Sequence, residues 1–201
     1  MVPRTPLRSP SEYFERRNRP SLAVGAGVVV AEALAITVAI WLFMQRVVAR
    51  VDAPPGAESE IRSAVSGGLV AAFFGVVVGW VLLAAIVHVF MWFADAERGF
   101  GTTLAVVGEA ELVGIVVLPV TTVALLNLAG QTPADPEAAA AFFRRAASFN
   151  SPLLLLVSLV STLWKAAIQG YGLAVSHRVD AGKALVLTLV VGIVGFLLNL
   201  A

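Results

Sequence analysis

The sequence predicts an all-α fold, a polytopic membrane bundle of five transmembrane helices with short interfacial helices. Three observations predict it. Of 201 residues, 59% are hydrophobic and only 13% are charged, and the mean hydropathy is +0.89. A soluble domain is about 45–50% apolar and about 25% charged, and a chain this small cannot hide so much apolar surface in one water-soluble core. The apolar residues are also concentrated in five stretches, each about as long as the ~20 residues needed to cross a bilayer. All of these stretches exceed the ~10 residues of a membrane β-strand, and none alternates.

Taken in order, the expected spans are residues 22–48, 63–94, 102–129, 151–176 and 183–201, in one domain covering 1–201. The first contains Glu32. The second carries no formal charge and has His88 near its end. The third contains Glu109, Glu111 and Pro119, and proline inside a helix is expected to kink it. The fourth contains Lys165. The first stretch is too long for the ~7–15-residue apolar region of a cleaved signal, and Glu32 interrupts it, so it reads as a retained span.

The connecting segments carry their own signals. Residues 1–20 read as a cytoplasmic N-terminal segment. Within it Ser9-Pro10-Ser11-Glu12 has the form of a capping box with proline at the first helical position. Tyr13 and Phe14 then lay a short helix on the cytoplasmic interface. Pro54-Pro55-Gly56 marks a turn-rich outer loop. In the longest loop Asp135-Pro136-Glu137 starts a helix, and Phe142, Phe143 and Phe149 give it an apolar face for the outer interface. Asn150, Ser151 and Pro152 open the fourth span.

Orientation follows from arginine and lysine in the short loops. Arg4, Arg8, Arg16, Arg17, Arg19, Arg98, Arg178 and Lys183 fall on one side, and Arg46, Arg50, Arg62, Arg144 and Arg145 on the other. The bias predicts a multi-pass protein of the cell membrane with its N-terminus in the cytoplasm and its C-terminus outside.

Enzyme signatures are missing. The sequence has no GxSxG, no HExxH and no phosphate loop. His88 and His177 are far apart without ligand-like spacing, and Ser158 or Ser161 with His88 has no supporting motif. Cysteine is absent, which excludes disulfides, zinc thiolates and a thiol nucleophile. A net charge of +1 argues against a nucleic-acid partner. Neither catalysis, a cofactor nor a metal is expected.

The intramembrane polar groups are the sharper signal: Glu32, His88, Glu109, Glu111, Lys165 and Gln169. A charge at a helix centre costs ~2.5–3.5 kcal/mol if left alone, so such groups face the bundle and pair. In the fourth span Ser151, Ser158, Thr162, Lys165, Gln169 and Ser176 fall within ~60° on a helical wheel, a polar stripe that should look inward. Glu109 and Glu111 lie ~200° apart on an ideal helix, so one pairs with Lys165 and the other faces elsewhere, is protonated or touches a partner. Glu109, on a face with Thr102 and Asn127, is the first choice for that partner and Glu32 the second. A buried ion pair that fixes helix register, a proton or ion pathway, and a site for a partner or lipid headgroup all fit these residues.

Two seams of small residues complete the pattern. The second span has Gly68, Ala72, Gly75 and Gly79 along one side, and the first has Gly27, Ala31, Ala35 and Ala39. Such seams let helices approach closely in lipid. Packing inside the bundle is the preferred reading for them, with a homo-oligomer face as the other.

One family matches these features. His88 to Ala94, then Arg98-Gly99-Phe100-Gly101-Thr102-Thr103-Leu104, then Gly108 and Pro119, resembles the Yip1 family of small integral membrane proteins. So does the end, with Trp164, Gly170-Tyr171-Gly172-Leu173 and Ala181-Gly182-Lys183-Ala184-Leu185. Ser9 to Phe14 is similar to haloarchaeal members. Arg98 stands where the family's turn has its first glycine, and Glu109 and Glu111 are unusual so near that turn. The resemblance implies five spans, a cytoplasmic N-terminus and no enzyme activity. Eukaryotic members act in vesicle traffic and contact small GTPases. The expected function here is a scaffold or organiser of membrane partners or bilayer shape, with the lipid bilayer, a further copy or another membrane protein as partner. A small transporter or channel using the Glu/Lys cluster is the alternative.

Overall fold

The computed structural model describes residues 5–17, 19–52, 56–94, 96–146 and 152–198. Arg4, Pro54, Pro55, Phe149, Asn150 and Ser151, and the side chain of Arg145, lie outside the described residues. Among the described residues eight helices follow in order: α1 (Pro10–Arg17), α2 (Leu22–Val48), α3 (Glu58–Phe93), α4 (Phe100–Ala110), α5 (Leu112–Ala129), α6 (Pro136–Ala146), α7 (Pro152–His177) and α8 (Ala181–Leu198). No strand occurs among the described residues. Five spans are long and apolar enough to cross a bilayer: Leu22–Val48, Ser59–Phe93, Phe100–Ala129, Pro152–His177 and Ala181–Leu198. This is a membrane bundle of the predicted class.

Local chemistry sets the helix ends. The Ser21 hydroxyl accepts from the Val24 amide at the start of α2, and Asp135 accepts from the Ala138 amide at 2.7 Å at the start of α6. Asp180 caps α8 through the Lys183 amide at 2.9 Å. Between α7 and α8 the chain reverses at Arg178, which takes a left-handed φ of 56°. The third span is broken at Glu111, between α4 and α5, and not at Pro119, which lies inside α5. At the break the Glu111 amide bonds back three residues to the Gly108 carbonyl.

α2 packs against α3, α4 and α5, and α7 packs against α8, α4, α5 and α1. Glycine sets the closest approaches. A Cβ on Gly25 would lie 2.6 Å from the Ala105 carbonyl oxygen, and one on Gly108 would lie 2.8 Å from the Gly25 carbonyl oxygen. Here the backbones of α2 and α4 touch. α8 is fixed to α7 at Gly170 and through Thr188, whose hydroxyl donates to the Ala166 carbonyl at 2.8 Å.

The structure corrects three expectations of packing. α1 does not lie on the interface. Phe14 is buried, with its ring against Gly172, where a Cβ would come within 2.7 Å of Phe14 Cε2. Trp164, midway along α7, donates its indole N–H to the Leu7 carbonyl at 3.1 Å. The segment leading into α1 therefore reaches the middle of α7. An indole N–H at that depth has no water to bond, and the Leu7 carbonyl satisfies it.

The α3 seam is not covered from within. A Cβ on Gly68, Gly75 or Gly79 would meet nothing within 4 Å. The buried residues of α3, Ala84, Val87 and Met91, lie near its last three turns, and Gly68, Gly75 and Gly79 are on its exposed face. In α2 the buried residues are Gly25, Val29, Glu32, Ala33 and Ala39, whereas Gly27 and Ala31 face outward. Position in the bundle, and not small-residue spacing, decides which face packs.

This difference predicts opposite responses to one added methyl group. Gly25→Ala or Gly108→Ala should cost ~1–3 kcal/mol by overpacking. Gly68→Ala or Gly75→Ala should stay within ~0.5 kcal/mol. Thermal unfolding in detergent at a concentration that keeps the chain monomeric checks both.

Candidate functional site

The polar residues expected to cluster are divided by the structure into three places. The first is an ion triad between α2, the α4–α5 junction and α7. Lys165 Nζ donates to Glu111 Oε2 and lies 3.4 Å from Glu32 Oε1. Both carboxylates are buried, and the Lys165 side chain keeps 27% of its surface. Gly114, one turn beyond Glu111, makes the room: a Cβ there would occupy the position of the Glu32 carboxylate. Gln169, one turn from Lys165 on α7, is also buried, so the polar stripe of that helix does face inward.

A groove of about 260 Å³ reaches the triad. Its remaining walls are Ile36 of α2 and Val76, Gly79, Trp80 and Leu83 of α3. Trp80 is held by its indole N–H, which donates to the Leu104 carbonyl at 3.0 Å. The glycine seam of α3 thus borders the charged site at Gly79.

The second place holds Glu109, which is not the partner of Lys165. Two residues from Glu111, it turns toward the opposite side, where Arg17 of α1 approaches its Oε1 at 3.6 Å. Glu109 is fully buried, and the Tyr13 side chain and the Ser21 backbone lie against its carboxylate. Tyr13 lies alongside. Burial raises the pKa of its hydroxyl above the ordinary value, and the neighbouring Glu109 raises it further. Arg17 also stacks over the Tyr13 ring at 4.7 Å.

The third place holds His88, well separated from Lys165 in its partners. Thr103 Oγ1 lies 2.9 Å from His88 Nδ1 and 2.9 Å from His177 Nε2. The two rings stand 6.1 Å apart. The histidines, far apart in sequence, are therefore neighbours joining α3, α4 and α7. One hydroxyl proton serves only one ring, so the other ring donates its N–H to the threonine oxygen. Among the described residues no group of three or more His, Cys, Asp or Glu is placed to hold a metal ion.

Arg17, Thr103, Gly114 and His177 complete these three places, and none was singled out as a polar-cluster residue from the sequence. Gly114 had a readable signal, a glycine one turn after a buried acid. Arg17 and His177 had none, because their partners are 92 and 74 positions away (Glu109 and Thr103).

The triad predicts a specific pattern of coupling. Lys165→Met should destabilise the protein by ~3–5 kcal/mol, because it strands buried carboxylates. Adding Glu111→Gln should recover much of the loss, whereas adding Glu109→Gln should add its own cost. Thermal stability of the single and double variants in detergent measures this.

Compared with known protein families, residues 5–201 match the Yip1 domain. No curated protein and no solved structure matches the chain significantly. The match runs through all five spans and through the turn of Arg98 to Leu104 that leads from α3 into α4. The chain belongs to the Yip1 domain family of membrane proteins.

Proposed function

We propose that this chain is a non-enzymatic integral membrane protein that organises membrane partners or bilayer shape. One observation carries the reading: the buried charges are spent on each other as cross-links between helices. Lys165 joins α7 to α2 and to the α4–α5 junction, and Glu109 faces Arg17 of α1. A register-fixing role accounts for each of these contacts. The outward glycine face of α3 supports a partner that is another membrane helix, either a second copy or a different protein.

The second reading, a small transporter or channel, is favoured by the groove that touches Glu32, Glu111 and Lys165. Flux separates the two. The purified chain in liposomes should pass neither protons nor alkali cations under an imposed gradient. Flux abolished by Glu111→Gln would overturn the scaffold reading. Affinity capture from detergent-solubilised membranes, followed by mass spectrometry, should return the partner.

The orientation belongs to the same proposal. Arg8, Arg16, Arg17, Arg19, Arg98, Arg178 and Lys183 gather at the end where α1 lies, against Arg46, Arg50, Arg62 and Arg144 at the other. We place the α1 end in the cytoplasm and the C-terminus outside, in the cell membrane. Reporter fusions should give a cytoplasmic signal at the N-terminus and none at the C-terminus.

A further inference from the structure

The two ends of the bundle differ. At the α1 end, α3 is tied to its neighbours by Trp80 and His88. At the opposite end α2 and α3 part, and a groove of about 580 Å³ opens between them. Its inner wall is apolar, with Trp41, Val48, Val65 and Leu69, and its rim carries Gln45, Arg62 and Ser66. The rim continues outward along α3, where Ser59 and Ser63 line a second hollow with Arg62 and Ser66. On the other flank of α2, Arg46 and Arg50 line a further hollow with Leu42 and Leu126, and Gln45 borders both flanks.

The depth of this groove can be placed. α3 has 36 residues, so it is about 54 Å long and must extend past a ~30 Å hydrocarbon core. Its first turns bear Ser59, Arg62, Ser63 and Ser66, and only from Leu69 onward is it apolar up to His88 apart from Trp80's indole N–H. The arginine and serines therefore stand at headgroup level, and the apolar wall descends from them into the hydrocarbon. Trp41 lies exposed on that wall. Among the described residues Arg46, Arg50 and Arg62 form no ion pair, although Asp52 and Glu60 lie on the same end.

We infer that the α2–α3 groove binds one phospholipid with an anionic headgroup. The phosphate is held by Arg62 and the amide of Gln45 at the groove mouth, where the Ser66 hydroxyl already donates to the Ser63 carbonyl at 2.9 Å, and an acyl chain runs down past Val65 and Leu69. Charge complementarity selects this occupant. Arg62, without a described counter-ion, stands at the mouth of the groove, Arg46 and Arg50 on the other flank of α2 add positive field at the same end, and a groove that is polar only at its mouth suits a headgroup above a hydrocarbon tail. A second protein helix would leave Arg62 unmatched. The site goes beyond the scaffold reading and is independent of it.

The test uses the full chain reconstituted in vesicles of equal phosphatidylcholine and phosphatidylglycerol. The protein is then extracted in mild detergent, and the lipid it retains is counted by native mass spectrometry. One phosphatidylglycerol per chain should be retained, enriched over phosphatidylcholine. Arg62→Gln should lower the enrichment about fivefold, the change that corresponds to ~1 kcal/mol for one arginine. Arg62→Lys should keep most of it. Leu69→Trp, which fills the groove and leaves every charge in place, should also release the lipid. Retention of the two lipids in the vesicle ratio would overturn the proposal. So would enrichment unchanged in both Arg62→Gln and Leu69→Trp. A loss with Arg62→Gln but not with Leu69→Trp would mean diffuse attraction to basic surface, and would overturn the groove as the site.

Discussion

The ammonium of Lys165 has to be neutralised from inside the bundle, and much of the helix arrangement follows from how that is done. Lys165 sits just past the middle of α7, too deep to reach water easily, so carboxylates must be brought to it. They come from two other spans, Glu32 of α2 and Glu111 of the α4–α5 junction. Three helices that lipid alone would leave free to slide are thereby set in one register. The arrangement works only where the backbones are close, and glycine supplies that closeness at Gly25, Gly108 and Gly114. Apolar attraction between helices contributes little in lipid, so polar cross-links and glycine contacts carry the specificity.

The break at Glu111 belongs to the same constraint. In a continuous helix Glu109 and Glu111 point about 200° apart, and only one of them can face α7. Glu111 takes that role with Gly114 beside it, which turns Glu109 toward α1. Glu109 is fully buried there, and Arg17 of α1 approaches it at 3.6 Å. Phe14 and the Leu7 carbonyl complete the docking of α1, the one against Gly172 and the other on Trp164. The α1 end of the bundle is thus closed by polar contacts that begin with the placement of one acid.

The spans themselves were legible because each is a one-dimensional signal. Residues 22–48 match α2 in full, and the other expected spans differ from the helices by a few residues at the ends, where caps such as Asp180 decide. The inward stripe of α7 was legible for the same reason: Lys165, Gln169 and Ser176 share one face of one helix. What was not legible depends on pairs of helices. Whether Glu109 or Glu111 meets Lys165 turns on a local break and on Gly114. Whether a glycine seam packs turns on which face of the helix meets its neighbours, and Gly68, Gly75 and Gly79 are on the exposed face of α3. The neighbourhood of His88 and His177 turns on α3 and α7 ending at the same end of the bundle. α1 was misjudged because Tyr13 and Phe14 read as a face for the interface, while the groups that draw Phe14 and its helix inward, Gly172, Trp164 and Glu109, lie far along the chain.

A bundle closed at one end and parted at the other is asymmetric in what it can do. Where α3 is tied, at Trp80, His88, Val87 and Met91, its motion relative to α4 would break hydrogen bonds that lipid cannot replace. Where it is free, from Gly68 to Gly79, no described contact of the seam glycines resists a neighbour, and a helix or an acyl chain can approach its backbone without displacing a side chain. Gly79 is the point at which these two regimes meet, and it also lines the groove that reaches Glu32, Glu111 and Lys165. Whatever packs along the open half of α3 therefore ends beside the triad.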